Sequence, residues 1–441
     1  MGMNEFLKLN NKKCSCGKVH SFDVNKIFIG DGVIKNIPPI IKEYRAKKAF
    51  VFGDKNTFKA AGEQVCLILE NEKINYTSYV LDEEMPEPDE KTVGSVIMHY
   101  DHSCDIIIGV GSGVVNDTGK ILAATTGKPY VIVATAPSMD GYASASSSMT
   151  RDGLKISLPS VCANVIIGDT DILCKAPVKM LSSGLGDMLA KYVSILEWRI
   201  SNLITGEYYC EEIAELVRLA LKKCTDNTRG LINREKDAVS AVFEGLVFCG
   251  VAMAYAGVSR PASGIEHYFS HIWDMRGVEF SHKVELHGIQ CAVGTYLTSK
   301  YYEKLKNIRP DREKALKFVE KFDIEKWHSE LKEFLGKGAD AMISLEEKEQ
   351  KYNKEKHRER LGIILENYDN IIGLINDELP TPDEIEKLLD NIKAPKTPKE
   401  IGIDEKLLST TFRATKDIRD KYILSRLAWD LGIEEELLNG E

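Results

Sequence analysis

The chain has 441 residues and a formal net charge of -9 at pH 7, which allows two domains with buried cores. Its composition is that of an ordinary soluble globular protein. The acidic balance excludes the clustered Lys and Arg of a nucleic-acid-binding surface, and no stretch approaches the roughly 18 unbroken apolar residues of a membrane span.

The ten cysteines lie mostly in apolar or helical segments. That usage is typical of thiols in a reducing compartment and not of a small disulfide scaffold. The segment from Met1 to Asn11 is polar and lacks the apolar core of a signal peptide. We therefore expect a cytoplasmic protein.

A small cluster near the start of the chain consists of Cys14-Ser-Cys16-Gly17 with His20. These residue types at this spacing supply half of a zinc site. No second pair of ligands follows nearby in the sequence, so we favour a mobile N-terminal arm without a metal role.

The first part of the chain alternates predicted strands and helices. Lys48–Phe52 is a β-rich run that ends in a turn, Gly53-Asp54-Lys55-Asn56-Thr57, and the turn caps a helix. Asp54 stands where a ribose-hydroxyl acceptor belongs, and it is equally well placed as an ordinary helix cap. Further covered strands are predicted at 105–109, 130–134 and 165–168, which favours a parallel sheet.

The most informative segment is a predicted strand, a glycine turn at Gly111-Ser112-Gly113, and a helix over 114–126. Glycines let a backbone approach phosphates, and a helix N-terminus attracts anions. Val114 stands where a third glycine would complete the dinucleotide fingerprint, and Ile121 follows Gly119-Lys120 where a P-loop needs Ser or Thr. A phosphate cradle and a purely structural tight turn both remain open.

A hydroxyl-rich loop follows the next strand, where open α/β sheets bind ligands. Asp140 begins a turn that places a carboxylate at the edge of the expected pocket. A flexible serine-rich loop is the alternative. The hydroxyl residues are Thr135, Ser138, Ser144, Ser146, Ser147 and Ser148.

From about Pro177 the pattern becomes helical. His267 and His271 lie one turn apart on one face of a predicted helix, and His287 begins another. Asp187 lies at a glycine-marked helix start. Neutral imidazoles and a carboxylate suit a divalent metal with an open position, although single histidines are more often structural.

Long single helices are also predicted over 346–360 and 361–375, and Thr381 with Glu384 has the spacing of a capping box.

The expected architecture is an N-terminal α/β nucleotide-binding domain with a parallel sheet over residues 1–178 and an all-α metal- and substrate-binding domain over 179–441. Several long segments support this arrangement because they resemble, in order, the motifs of the sn-glycerol-1-phosphate dehydrogenase family, its bacterial branch above all. That family belongs to the superfamily of iron-containing alcohol dehydrogenases and dehydroquinate synthases. The matching segments are 135–144, 183–191, 259–271, 286–290 and 414–422.

The resemblance implies a dehydroquinate synthase-like fold and the reversible reduction of dihydroxyacetone phosphate to sn-glycerol 1-phosphate by NADH or NADPH. It implies one divalent metal, zinc or nickel, held by Asp187, His267 and His287. Asp140, Asp187 and His271 would contact the phosphorylated substrate, with Asp187 and His271 as the catalytic residues. The implied dinucleotide contacts are Asp54, Gly111, Ser112, Gly113, Val114, Val115, Asn116, Asp117, Thr135, Ala136, Pro137, Ser138 and Ser144.

Two departures from the family pattern stand out. Ile265 replaces a small or polar residue, and residues 325–360 form a longer, more charged insertion than expected. Arg260 is a candidate clamp for the substrate phosphate, although an arginine before a proline in such a loop is more often structural. We expect a homo-oligomer that serves phospholipid biosynthesis.

Three other functions remain open. Two are enzymatic: a glycerol-type dehydrogenase acting on an unphosphorylated polyol, and a sugar-phosphate cyclase that retains its NAD. The third is a non-catalytic nucleotide-sensing protein that binds metal.

Overall fold

The computed structural model describes residues 9–83, 85–151 and 154–439. They form two compact units. The first comprises the described residues of Met1–Met188 together with Glu215–Val258, and the second comprises Leu189–Ala214 and the described residues of Ser259–Glu441. These compact units divide the chain at other residues than the predicted domain boundary between residues 178 and 179. That boundary stays a prediction.

Ten strands lie in the described part of the first unit, and six of them form a parallel sheet in the order β3-β10-β7-β6-β4-β5. β1 pairs with β2 and β8 with β9 as antiparallel hairpins. The strands are β1 Lys12–Lys13, β2 Val19–His20, β3 Lys26–Gly30, β4 Lys48–Asp54, β5 Asn75–Leu81, β6 Ile106–Gly111, β7 Tyr130–Ala134, β8 Ser146–Arg151, β9 Leu154–Pro159 and β10 Val165–Asp169.

The sheet brings three strand ends together. β6 lies between β4 and β7, with Phe52 opposite Gly109 and Gly111 opposite Ala134. β6, β7 and β10 are buried at every residue, as expected of parallel strands covered on both faces. The carboxyl ends of β4, β6 and β7 therefore meet at one edge of the sheet, where ligands of α/β proteins bind.

Up to Gly113–Thr126, the helices of the first unit alternate with these strands along the chain. One long helix, Val178–Thr205, begins in the first unit and ends in the second. The other helices up to Ala256 are Ile37–Glu43, Lys55–Thr57, the π-helical Phe58–Gly62, Glu63–Asn71, Glu90–His99, Gly113–Thr126, Thr170–Leu173, Glu211–Thr225, Thr228–Ile232 and Lys236–Ala256, with short 3₁₀ turns at Val33–Asn36 and Gly141–Ala143.

The described part of the second unit is entirely helical. Its core includes the aromatic side chains of Phe269, Tyr301 and Phe412, with Tyr301 and Phe412 ring centroids 5.0 Å apart. Its later helices are Ile265–Glu279, His287–Lys306, Arg312–Lys321, Ile324–Leu335, Gly338–Glu349, Lys354–Glu366, Tyr368–Glu378, Pro382–Asn391, Leu408–Thr415, Leu424–Leu431 and Glu434–Leu438, with 3₁₀ turns at Lys399–Ile401 and Glu405–Leu407.

The parallel sheet, the helical remainder and the capping box at Thr381 are confirmed. The single helices predicted over 346–360 and 361–375 are wrong. The first is broken because Gln350 adopts a left-handed backbone (φ 52°) and the Asn353 side chain caps a new helix at Lys354. The second is interrupted at Asn367, where one helix ends and the next begins.

The helix Lys236–Ala256 is long and apolar enough to cross a membrane by length and composition. Its most apolar window is 78% buried inside the protein, as in a core helix of a globular protein. The burial therefore favours a core role for this helix.

Candidate active site

The glycine turn lies at the carboxyl end of β6 and opens the helix Gly113–Thr126. Ser112 occupies the N-cap position, but its side chain makes no capping hydrogen bond. The first turn of this helix thus presents backbone N–H groups and the positive end of the helix dipole, which together favour an anion. The N–H of Thr135 donates to Gly111 O at 3.1 Å and joins the loop after β7 to this turn.

The two glycines of the turn differ in what surrounds them. A Cβ on Gly111 would lie 2.5 Å from Val115 Cβ, so internal packing accounts for that glycine. A Cβ on Gly113 would meet nothing nearer than Met139 Cγ at 3.7 Å. Packing within the protein does not require a glycine at 113, whereas the close approach of a phosphate would.

Asp54 caps the helix that follows β4. Its Oδ1 accepts hydrogen bonds from the N–H groups of Asn56 (2.8 Å) and Thr57 (3.0 Å), and Thr57 Oγ1 accepts from the N–H of Asp54. The helix-cap alternative is therefore confirmed for one carboxylate oxygen. The same side chain is only partly buried at the ligand edge of the sheet.

The hydroxyl-rich loop is tied to the glycine-turn helix by a buried cation that sequence reasoning did not select. Lys120 Nζ lies 2.8 Å from Asp117 Oδ1 and also donates to the carbonyl oxygens of Gly141 and Ser146. Asn116 Nδ2 donates to Gly141 O at 3.0 Å. The side chains of Asn116 and Lys120 thus hold the loop, and Asp117 pairs with Lys120. The available signal was the lysine that follows Gly119 in the helix.

Inside the loop, Thr135 and Ser138 are buried, and Ser144 Oγ lies 3.0 Å from Ser146 Oγ. Ala136 and Pro137 are also buried. A Cβ on Gly184 would lie 1.8 Å from Pro137 O, so glycine there permits the helix Val178–Thr205 to approach the loop. Ser183 Oγ donates to Ser138 O at 3.0 Å and fixes this approach.

Asp140 and Asp187, predicted on separate grounds, are in direct contact. The N–H of Asp140 donates to Asp187 Oδ2 at 3.0 Å, and Asp187 is fully buried. The backbone of the loop thereby orients the carboxylate that the sequence assigns to the metal.

In the second unit, His267 and His287 face each other, with ring centroids 5.1 Å apart. His267 Nδ1 lies 2.8 Å from Glu266 Oε1. A carboxylate oxygen only accepts, so Nδ1 is the donor in this pair. Ser270 Oγ pairs with His287 Nδ1 at 3.0 Å. Such partners behind a ligating histidine fix its orientation.

Cys291 is a further donor that the sequence reasoning missed. One ligand atom each from His267, His287 and Cys291 lie within 4.8 Å of one another, and Cys291 Sγ is 3.5 Å from His287 Nε2. Burial works to raise the pKa of the thiol, but the two histidines outweigh burial and the pKa is lowered. The four-residue spacing from His287 to Cys291, one helical turn, was the available signal.

His271 lies one turn beyond His267, with its ring centroid 6.1 Å from that of His287. It is less buried than His267. Ile265 is fully buried and its N–H donates to Glu197 Oε2 at 2.8 Å. The unusual residue at 265 is therefore part of the core at the start of this helix and leaves the histidine arrangement intact.

Arg260 has the structural role and not that of a phosphate clamp. It is 1% exposed, and its guanidinium donates to Glu207 Oε1 (2.9 Å), Glu207 Oε2 (2.6 Å), Ser201 Oγ (3.1 Å) and Tyr422 O (3.0 Å). These bonds use each of its three nitrogens, so the fork is committed to the core.

The chain is similar to several curated proteins named glycerol-1-phosphate dehydrogenase [NAD(P)+]. It is 26% identical to that of Halalkalibacterium halodurans over 429 residues, covering 96% of this chain and 97% of the relative. It is 32% identical to that of Bacillus licheniformis over 310 residues, covering 69% of this chain and 77% of the relative. The chain belongs to the glycerol-1-phosphate dehydrogenase family.

Residues 28–177 of this family member also match the family of iron-containing alcohol dehydrogenases. A solved iron-containing alcohol dehydrogenase from Corynebacterium glutamicum shares the fold, with a TM-score of 0.60, 16% identity, and coverage of 96% of this chain and 97% of that one. The dehydroquinate synthase-like fold class is therefore confirmed.

NAD(P) and a divalent metal are the cofactors that fit this family. The donor set agrees with a metal, because two imidazoles have their Nδ1 atoms held by protein partners and share a cluster with the Cys291 thiol in which the ligand atoms lie within 4.8 Å of one another. The glycine at 113, which packing does not require, agrees with a dinucleotide phosphate.

Proposed function

We propose that this protein catalyses the reversible reduction of dihydroxyacetone phosphate to sn-glycerol 1-phosphate with NADH or NADPH. One observation carries the proposal: in a chain of this family, His267 and His287 face each other with both Nδ1 atoms occupied by protein partners. That arrangement suits an electrophilic metal centre, which can polarise a carbonyl for hydride transfer.

The metal ligands in this proposal are Asp187, His267 and His287. When bound, a zinc or nickel ion supplies Lewis-acid polarisation of the substrate carbonyl, and the dinucleotide supplies hydride. Glu266 and Ser270 keep the two imidazoles in one orientation. The N–H of Asp140 does the same for the Asp187 carboxylate.

The dinucleotide phosphates take the N-terminal turn of the helix Gly113–Thr126, where N–H groups and the helix dipole favour negative charge. Thr135, Ala136, Pro137, Ser138 and Ser144 then line the cofactor from the neighbouring loop. Asp54 has one carboxylate oxygen outside its helix cap, and this oxygen accepts from the ribose hydroxyl.

The substrate contacts Asp140, Asp187 and His271. His271 is partly exposed and stacks beside a proposed metal ligand, so it suits proton transfer to the new hydroxyl, directly or through water. We further propose that the protein is cytoplasmic, forms a homo-oligomer and serves phospholipid biosynthesis.

One assay tests this function. Purified protein is stripped of metal, reloaded separately with zinc and nickel, and given NADH or NADPH with dihydroxyacetone phosphate. We expect cofactor oxidation that requires metal and yields sn-glycerol 1-phosphate, determined by chiral analysis of the product.

Unphosphorylated dihydroxyacetone and glycerol are the controls. Turnover with these two and none with the phosphate ester would replace the proposal with a polyol dehydrogenase. Conversion of a sugar phosphate without net consumption of NADH would indicate a cyclase. Tight dinucleotide binding without turnover of any carbonyl would indicate a nucleotide sensor.

A further inference from the structure

A second group of soft ligands lies far along the chain from the residues assigned to catalysis. Cys14, Cys16 and His20 belong to a hairpin in which β1 pairs with β2, Lys12 opposite His20 and Lys13 opposite Val19. The predicted mobile arm is therefore wrong for these residues. Cys14 is 5% exposed and His20 is 1% exposed.

The turn of the hairpin brings its two thiols to the same side as the imidazole. The N–H of Cys14 donates to Lys18 O at 2.9 Å, and the N–H of Gly17 donates to Cys14 O at 3.0 Å. Gly17 has a φ of +87°, a backbone conformation that favours glycine. One ligand atom from each of Cys14, Cys16 and His20 lies within 4.8 Å of the others.

His20 is oriented as a metal ligand is. Its Nδ1 lies 2.8 Å from the backbone carbonyl oxygen of Tyr255. Because a carbonyl only accepts, Nδ1 is the donor, and in the neutral ring this tautomer leaves the lone pair on Nε2. That Nε2 lies 3.4 Å from Cys16 Sγ. A tetrahedral zinc with ordinary Zn–S and Zn–N bonds separates these two atoms by about 3.6 Å.

Packing around Tyr255 holds the carbonyl group that accepts from His20. The ring of Phe22 packs edge-on against Tyr255 at 5.6 Å, and the His20 ring lies 5.7 Å from the same tyrosine. Tyr255 is the penultimate residue of the buried helix Lys236–Ala256. A carbonyl partner fixed by a core helix is the kind of second-shell contact that determines the tautomer and angle of a ligating histidine.

We propose that Cys14, Cys16 and His20 bind a structural zinc ion that stabilises the N-terminal hairpin, whose His20 is in turn held by the carbonyl of Tyr255 in the helix Lys236–Ala256. Two thiolates and one imidazole suit zinc in a reducing compartment, and a fourth ligand completes the tetrahedron. This site is separate from the proposed catalytic metal and does not depend on the assigned reaction.

Metal content tests the proposal directly. Protein produced with zinc and dialysed is analysed for zinc per chain, as wild type and as Cys16→Ser and His20→Ala. The matched controls are Cys174→Ser, which removes another partly exposed thiol of the first unit, and His99→Ala, which removes an exposed imidazole. We expect each site variant to lose one zinc equivalent relative to wild type and each control to lose none.

A measurement on the wild type covers the case in which a variant does not fold. Cysteine alkylation is mapped by mass spectrometry with and without a zinc chelator. We expect Cys16 to be protected until chelator is added and Cys174 to react equally in both conditions. Equal zinc content in wild type and folded site variants would overturn the proposal. Alkylation of Cys16 to the same extent with and without chelator, or a Cys14–Cys16 disulfide in the native protein, would overturn it as well.

Discussion

His267 and His287 owe their orientation to neighbours that have no metal-binding signal of their own. Glu266 precedes His267 in sequence and accepts from its Nδ1, while Ser270 pairs with His287 from the adjacent helix. Removing such partners typically lowers metal affinity without removing a ligand. The quality of the proposed centre therefore depends on residues that do not touch the metal.

Ser270→Ala tests this dependence. The substitution frees the His287 ring to rotate, and we expect the metal dissociation constant to rise by about 10- to 100-fold, measured by competition with a chelator. Ser299→Ala is the control, because it removes another buried serine whose hydroxyl bonds only to a backbone carbonyl, Tyr296 O. Equal affinities in both variants would show that Ser270 does not position the ligand.

The Asp54 side chain caps a helix and also carries a negative charge. Two substitutions separate these roles. Asp54→Ser keeps a side-chain oxygen for the helix N-terminus and removes the negative charge. We expect the ratio of KM for NADPH to KM for NADH to fall by about tenfold, because a carboxylate at the ribose disfavours a 2′-phosphate. Steady-state kinetics with both cofactors gives the ratio.

Asp54→Ala is the companion variant. It removes the cap as well, and loss of a cap costs about 0.5–2 kcal/mol of stability. An unchanged cofactor ratio in Asp54→Ser, with a lowered unfolding midpoint in Asp54→Ala, would leave capping as the only role of this residue.

At the scale of elements, the strand β6 and the helix Gly113–Thr126 form the part of the first unit that we propose as the anion site. The order of the sheet places β4 and β7 on either side of β6. Lys120 and Asp117 then tie the loop to the helix by buried polar contacts. These contacts consequently fix the loop relative to the N-terminus of the helix.

Gly113→Ala tests the helix N-terminus as the phosphate site. A Cβ there has room inside the protein, with 3.7 Å to Met139 Cγ, so the unfolding midpoint should not fall. We expect KM for the dinucleotide to rise about tenfold, equivalent to about 1.4 kcal/mol of lost binding. Gly111→Ala should by contrast destabilise the fold, because its Cβ would meet Val115 at 2.5 Å.

If Gly113→Ala binds NADH and NADPH as tightly as the wild type does, the first turn of this helix is not where the phosphates bind. Isothermal titration with each dinucleotide, in the absence of substrate, measures that affinity separately from turnover.

On the scale of the whole molecule, buried carboxyl groups connect the helices of the second unit. Glu197 accepts from the N–H groups of Ile265 and Leu424, both at 2.8 Å, and so joins segments distant in sequence. Burial, and the negative charge of Glu266 next to it, raise the pKa of Glu197 to about 8. Protonation of this group is thereby coupled to folding of the unit.

The sign of that coupling follows from the raised pKa. Between the ordinary glutamate pKa and about 8, the folded protein holds a proton that the unfolded chain has released. The contribution of Glu197 to stability is therefore fully present at low pH and is lost as the pH rises through this window. We expect the unfolding midpoint of the wild type to fall between pH 5 and 8 more steeply than that of Glu197→Gln.

The pH slope is the readout for this variant, because glutamine offers one acceptor fewer and therefore changes absolute stability as well. Measurements with chelator present remove the contribution of pH-dependent metal binding. Glu303→Gln, at a half-exposed carboxylate of the same unit, is the control and should keep the wild-type slope. Parallel slopes for all three proteins would contradict a raised pKa at Glu197.

Local patterns in the sequence were enough to predict the parallel sheet, the helical second half, and the strand-turn-helix around Gly111 and Gly113. Periodicity and glycine placement are properties of neighbouring residues, and burial on both faces of a strand leaves a continuous apolar run such as Ile106–Ile108. The order of the motifs along the chain indicated the family. The assignment of Asp187, His267 and His287 to a metal came from that resemblance and stays a proposal.

Only tertiary structure decided the contacts between residues far apart in sequence. No local pattern relates the N–H of Asp140 to the Asp187 carboxylate, or Tyr255 O to His20, because such pairs form only when separate elements pack together. The same reason explains why Arg260 belongs to the core and why Cys14, Cys16 and His20 lie in an ordered hairpin. Their chemistry was readable from the sequence, and their partners were supplied by the fold.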